Sequence, residues 1–327
     1  MIELIESWIV MNWITMAVAI VVGFGLLIFG ADWLVDGASA IAKRFGVSNL
    51  VIGLTVVAFG TSMPEFIVST IAAIEHNTDI AITNILGSNS INTFIILGFT
   101  ALICPISSRR SSRIFDIPVS LLAGLMVIGF VAYSGAIEWW GGVCLLVVFV
   151  IFMAHSFRFA KEANPENPDE TEENQPMSMW KACSLLLLGL VGLVLGGESV
   201  VRGATGVAQL LGVSDAIIGL TVVALGTSLP ELATSCIAAA KRNTDLALGN
   251  VIGSNIFNVF FILGTGALIH PLPAYEGIWL DAAMVVLSSL LVMLFVYANR
   301  KHEIKRWHGA MLVLVYAAYL TYRIISL

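Results

Sequence analysis

Residues 60–65 read GTSMPE and residues 226–231 read GTSLPE. The register between them, 226 minus 60 or 166, holds without a gap well outside the two hexapeptides. Asp32 falls on Glu198, Thr55 on Thr221, Asn84 on Asn250 and Asn92 on Asn258. Gly87-Ser88-Asn89 falls on Gly253-Ser254-Asn255. In a chain of 327 residues this register is just over half the length, so the molecule is two related halves. The polar residues are the best-matched part, which packing alone does not require. Each half also sets one acidic residue, Glu65 or Glu231, inside an apolar stretch. An ionisable group at membrane depth is costly and marks a functional site.

The depth is set by composition. Hydrophobic residues make up 58% and charged residues 12%, with a mean hydropathy of +0.93. A soluble domain carries about twice that charged fraction. The apolar runs are numerous and long enough to cross a bilayer. The short alternating segments of a membrane barrel are absent. An all-α polytopic membrane protein follows, with the lipid bilayer as its surroundings. The net charge of -6 comes largely from one acidic loop, and no basic patch suits nucleic acid. Cys104, Cys144, Cys183 and Cys236 show neither metal nor disulfide spacing and read as buried inert thiols. The opening MIELIESWIVM lacks the basic region of a cleaved leader, so the first helix is expected to remain.

Ten spans are predicted, five in each half. The first five fall near 13–35, 49–73, 80–102, 115–133 and 138–158. The second five fall near 180–201, 215–239, 246–268, 278–298 and 307–325. Residues 37–48 read as a link or a surface helix. Helices 2 and 7 should be interrupted at Gly60/Pro64 and Gly226/Pro230, and helices 3 and 8 near Gly87 and Gly253. The first half is thus residues 1–160 and the second 179–327. Between them lies 161–178, an acidic, proline-bearing, solvated linker. Asp79 and Asp245 are expected to cap helices 3 and 8.

Basic residues set the orientation. The links 1–2, 3–4, 5–6, 7–8 and 9–10 carry fourteen of the sixteen lysines and arginines, and the other surface has only Arg202 and Arg323. By the positive-inside rule the linker is cytoplasmic and both termini lie outside the cytoplasm. An odd number of spans per half makes the second half enter from the opposite side. The repeats are then inverted, a common transporter plan with its site where they meet.

Ala58, Thr61, Ser62 and Glu65 stand at i, i+3, i+4 and i+7, on one helical face, as do Ala224, Thr227, Ser228 and Glu231. Pro64 and Pro230 cannot donate to the carbonyls of Gly60 and Gly226, which favours a kink. The neighbouring helices supply Ser88 and Asn92, and Ser254 and Asn258; Asn84 and Asn250 lie one turn earlier on the same stripe. The set is carboxylates, hydroxyls, amide oxygens and loosened carbonyls, without cysteine or histidine. Hard cations such as Ca²⁺ take such an oxygen shell, and Na⁺ fits its hydroxyls and carbonyls. Small residues also line helix interfaces, and packing is the expected role of Gly53, Gly87, Gly98, Gly219, Gly253 and Gly264. Asp32 and Glu198, near span ends, suit either an interfacial or a cavity role.

At these residues the chain resembles the calcium/cation antiporter superfamily, in particular the compact prokaryotic form of its sodium/calcium exchanger branch. The resemblance spans essentially the whole chain, with G-T-S-x-P-E on one helix and G-S-N-x-x-N on the next, twice in register. It implies exchange of Na⁺ for Ca²⁺ by alternating access, commonly three for one, in the cell's inner (plasma) membrane. Glu65 and Glu231 would bind calcium, with backbone oxygens from Thr61 and Thr227. Ala58, Ser62, Ser88, Ala224, Ser228 and Ser254 would line the sodium sites, and Asn92 and Asn258 would complete the central ring. Several characterised exchangers carry aspartate where this chain has Asn258. No cofactor and no obligate protein partner are implied. No phosphate loop for a pump and no nucleophile or metal constellation for an enzyme is present. Calcium/proton exchange within the same superfamily is the alternative.

The charge split generates a test. A cysteine at Asn167, in a background without the four native cysteines, should resist an impermeant thiol reagent applied to whole cells; labelling from outside would reverse the orientation.

Overall fold

The computed structural model describes residues 13–159, 177–212 and 224–325. The N-terminal stretch, the linker and the first part of the predicted helix 7 lie outside the described residues. The helices are α1 (Trp13–Phe45), α2a (Asn49–Thr61), α2b (Met63–Ile74), α3 (Thr78–Ile103), α4 (Ser112–Ser134) and α5 (Trp139–Phe159). The second half contributes α6 (Met179–Leu210), α7a (Ala224–Thr227), α7b (Leu229–Ala240), α8 (Thr244–Ile269), α9 (Ile278–Tyr297) and α10 (Arg306–Ile325). Among the described residues eight helices are long and apolar enough to cross a membrane, and the bent pair α2a–α2b makes a ninth span.

Three expectations are corrected. The stretch 37–48 is largely not a link: α1 runs on to Phe45, and its counterpart α6 runs to Leu210. Helices 3 and 8 are not broken at their glycines. Both continue through Gly87 and Gly253 and carry π-helical turns further on, at Ile91–Ile96 and Phe257–Leu263. Gly253 serves close approach instead, since a Cβ there would lie 2.7 Å from Leu54 Cα. Finally, Asn77 and Asn243, not the aspartates, hold the N-cap positions of α3 and α8. The Asn243 side chain accepts from Leu246 N–H, which leaves Asp245 for an ion pair with Arg109.

The helix 2 break is where the sequence places it. α2a and α2b meet at 50° about Ser62, with Pro64 in the first turn of α2b, where its missing N–H costs nothing. Ser228 repeats the geometry between α7a and α7b, with φ -91° and ψ 6° against -84° and 10° at Ser62.

The innermost helices are α3 and α8, with 78% and 94% of their central windows buried, against 22–50% for the other six long helices. α2b packs on α3, and α7b on α8. α5 of the first half packs on the end of α8, and α10 of the second half on the end of α3. The halves are therefore interleaved rather than side by side. α1 and α6 form a long pair that packs against α2a, α7b and the start of α8. Gly23, Gly30 and Gly37 on α1 recur at the same register as Gly189, Gly196 and Gly203 on α6. A seven-residue spacing keeps each triplet on one face, and small residues let membrane helices approach backbone to backbone.

Short links join into two groups. β1 (Ile106–Ser107) pairs with β4 (Glu303–Ile304), Arg109 with Asp245, and the Tyr297 hydroxyl donates to the Arg113 carbonyl. Lys241 bridges Asp32 at 2.7 Å and Asp36 at 2.6 Å, so Asp32 takes the interfacial role. Burial pulls the Lys241 ammonium down, but the two carboxylates outweigh it and leave its pKa raised. The second group joins β2 (Ala136–Ile137) to β3 (Leu272–Pro273) and the His76 ring to His270. The cysteines are free. Cys144 is exposed and the other three half-buried, so they are not the buried thiols expected.

The glycine seam predicts a sharp contrast. A Cβ on Gly189 would sit 2.7 Å from the Gly30 carbonyl oxygen, whereas one on Gly25 meets nothing within 4 Å. Gly189→Ala should cost about 1–3 kcal/mol, the usual range for overpacking. Gly25→Ala should be neutral in thermal unfolding of the detergent-solubilised protein; equal melting temperatures for the two variants would contradict a tight α1–α6 seam.

Candidate functional site

The two breaks place their acidic residues opposite one another. Glu65 lies in the first turn of α2b and Glu231 in the first turn of α7b, where free N–H groups and the helix dipole favour a negative charge. Each carboxylate also takes up its own backbone N–H. Both are fully buried. None of the ion pairs among the described residues involves either of them.

Their partners come from the other half. Ser62 donates to Glu231 Oε1 at 2.9 Å, and Ser228 donates to Glu65 Oε1 at 3.2 Å. Ser88 on α3 adds a longer bond to Glu65 Oε1 at 3.4 Å. Thr227 adjoins Glu65, and Thr61 and Ser254 adjoin Glu231. Each carboxylate is thus held crosswise, by the hinge serine of the opposite half.

The predicted residues are accounted for as follows. Ala58, Thr61, Ser62, Glu65, Ser88 and Asn92 are buried, and so are Ser228, Glu231, Ser254 and Asn258. Thr227 is half-buried, and Ala224 opens α7a with its side chain outside the described residues. The four-residue face Ala58–Glu65 is not one continuous helix, because the bend at Ser62 divides it. The bend turns the Ser62 hydroxyl toward the other half while Glu65 starts a new helix.

Several buried oxygens have no hydrogen-bond donor: Glu65 Oε2, Glu231 Oε2, Asn92 Oδ1 and Asn258 Oδ1. Buried polar groups are almost always satisfied, and each orphan calls for an explanation. Asn258 is oriented by its own amide, which donates to Asn89 Oδ1 at 3.0 Å. Carboxylate and amide oxygens are the donor types that hard cations take. No cluster of three or more His, Cys, Asp or Glu able to hold a metal is present among the described residues.

Roles for four asparagines were not assigned from the sequence. Asn89 donates to the Asn255 carbonyl at 3.0 Å, and Asn255 donates to Thr93 Oγ1 at 2.7 Å, which stitches α3 to α8. Asn84 and Asn250 grip the carbonyls of Glu65 and Glu231. Their shared 166-residue register was the available signal; the direction of each amide was not.

The chain has known relatives. A family model described as sodium/calcium exchanger protein matches residues 15–158 and again 181–325. The chain is 38% identical to the putative antiporter CaxA of Alkalimonas amylolytica, over 92% of this chain and 96% of that one. It is 34% identical to the sodium/calcium exchanger MaX1 of Methanosarcina acetivorans, again over 92% and 96%. Its fold is similar to a solved structure of the sodium-calcium exchanger NCX_Mj soaked with Na⁺ and Sr²⁺. The TM-score is 0.83 at 36% identity, over 95% of this chain and 99% of that one. The two matched stretches fall on the two halves of the repeat, and the chain belongs to the sodium/calcium exchanger family of multi-pass membrane proteins.

Proposed function

We propose that the protein is a secondary antiporter that exchanges Na⁺ for Ca²⁺ by alternating access and normally exports calcium. The observation that carries this is the crosswise pair: two buried carboxylates, each held by the opposite half, beside buried oxygens with no donor. Calcium would sit between Glu65 and Glu231, whose formal charge of two it balances. Asn92, Asn258 and the Thr61 and Thr227 backbones would complete its shell. Sodium would use the hydroxyls of Ser62, Ser88, Ser228 and Ser254, near Ala58 and Ala224. The protein neither cuts nor makes a covalent bond, so it is not an enzyme. NCX_Mj and MaX1 are named for this exchange.

The architecture proposed is ten spans in two inverted halves, 1–160 and 179–327, around the cytoplasmic linker 161–178. It is supported by the two groups of links that meet in space. Contacts join 3–4, 7–8 and 9–10, with the C-terminal part of α1, on one surface and 2–3, 4–5 and 8–9 on the other, the same division as the basic-residue count. Both termini are then non-cytoplasmic.

Loss of one carboxylate gives the direct test of the site. Breaking a buried charge pair by removing one partner costs about 3–5 kcal/mol, roughly a hundredfold to several thousandfold in affinity. Glu65→Gln and Glu231→Gln should each abolish calcium uptake at low micromolar calcium while the purified protein still folds. Near-normal flux in either would contradict a shared site.

A second reading, calcium/proton exchange, draws on the same carboxylates, because no basic side chain pairs with them and a proton could take the place of sodium. Reconstituted vesicles separate the two. With pH clamped, an outward-directed sodium gradient should drive calcium uptake. Flux that ignores sodium and follows pH would move the assignment to protons. A three-to-one ratio carries one net charge per cycle, worth about 2.3 kcal/mol per 100 mV. Calcium flux should then respond to a set potential, and a voltage-independent sodium-driven flux would remove that ratio.

A further inference from the structure

We infer that Asn84 and Asn250 are the positioning residues of the two glutamates, and that Asn250 also ties the hinge of one half to the backbone of the other half's glutamate. Resting on the cation site proposed above, this adds the groups that hold its two charged ligands in place.

The geometry occurs twice. Asn84 Nδ2 on α3 donates to the Glu65 carbonyl at 3.3 Å and to Ser69 Oγ at 2.9 Å. Asn250 Nδ2 on α8 donates to the Glu231 carbonyl at 3.4 Å and to Ser235 Oγ at 2.9 Å. In both halves the asparagine reaches the residue 19 positions before it and the residue 15 positions before it. Ser69 and Ser235 are buried, as is Asn250, which has no exposed surface.

The site explains why such a brace is needed. α2b begins after a 50° break, so its first turn is not held in line by helix on the N-terminal side. Glu65 stands in that turn, and its carboxylate can be no better placed than its own backbone. The Asn84 amide spans the turn from Glu65 to Ser69 and pins it to α3, one of the two most buried helices. Asn250 does the same for the first turn of α7b. Ligand geometry within about half an ångström depends on such supporting hydrogen bonds.

Asn250 makes one bond more. Its Oδ1 accepts from the Thr61 hydroxyl at 3.1 Å, across the interface between the halves. Thr61 is the last residue of α2a, next to the hinge at Ser62. One amide therefore holds the Glu231 backbone with its nitrogen and the opposite hinge with its oxygen. A carboxylate cannot fill this place, because aspartate lacks both donors.

The test is calcium uptake by full-length protein in vesicles, read as KM and maximal rate separately. Disturbing the hydrogen-bond partners of metal ligands lowers metal affinity by about 10–100-fold. Asn84→Ala and Asn250→Ala should therefore raise KM for calcium by about tenfold or more while saturating calcium restores a maximal rate within about twofold of wild type. Thr61→Val keeps the Thr61 carbonyl and removes only the hydroxyl. Its effect on KM should be absorbed in the Thr61→Val/Asn250→Ala double variant, which should be no worse than Asn250→Ala alone. If the asparagine variants do not fold, Ser69→Ala and Ser235→Ala decide, each with an expected rise of about fivefold, since an ordinary hydrogen bond is worth about 1 kcal/mol. Unchanged KM in the folded variants, or a loss confined to maximal rate, overturns the positioning role. Additive effects of Thr61→Val and Asn250→Ala overturn the link between halves. Wild-type protein that takes up no calcium refutes the cation reading itself, and is thereby distinguished from either failure.

Discussion

Two carboxylates buried at the centre of an apolar helical bundle, with no basic partner among the described residues, are the constraint on which the rest of this structure depends. Removing an ionised carboxylate from water costs several kcal/mol even after relaxation, and the attraction of a partner must offset it. Here the fixed partners are hydroxyls and the free N–H groups of a helix start, which soften the cost. In the proposed exchange the transported cation supplies the remaining counter-charge, so its departure or replacement would change the energy of the whole centre.

Much of the backbone irregularity serves that centre. The breaks at Ser62 and Ser228 start new helices whose first turns carry the glutamates, and the prolines fall where a missing N–H matters least. The π-helical turns of α3 and α8 begin next to Asn92 and at Phe257, beside Asn258. Such turns recur at functional sites, where one extra residue per turn redirects side chains. Non-helical backbone at membrane depth is tolerated only when protein or a cavity covers it, and α3 and α8 are the most enclosed helices of the bundle. The α1–α6 pair, joined along its glycines, packs against α2a, α7b and the start of α8 in a second hydrophobic core, and the Lys241 ion pairs tie it to the end of α7b.

The sequence by itself determined the two halves, the membrane setting, the break at each Gly-Thr-Ser-x-Pro-Glu motif and the residues gathered at the centre. All of this follows from local chemistry: hydropathy over a span, a proline that cannot donate, and a register repeated at 166 residues. Tertiary structure decided what depends on neighbours far along the chain. A glycine in a helix marks either a break or a close approach, and Gly253 is the second because Leu54 of another helix lies against it. Asn243 rather than Asp245 caps α8, and Arg109 claims Asp245 from the link between α3 and α4. Above all, the repeat says that Ser62 is equivalent to Ser228 but not that each serves the other half's glutamate. Those bonds join residues 169 and 163 positions apart, and a periodicity within one chain carries no information about which copy faces which; only the packing of the interleaved halves does.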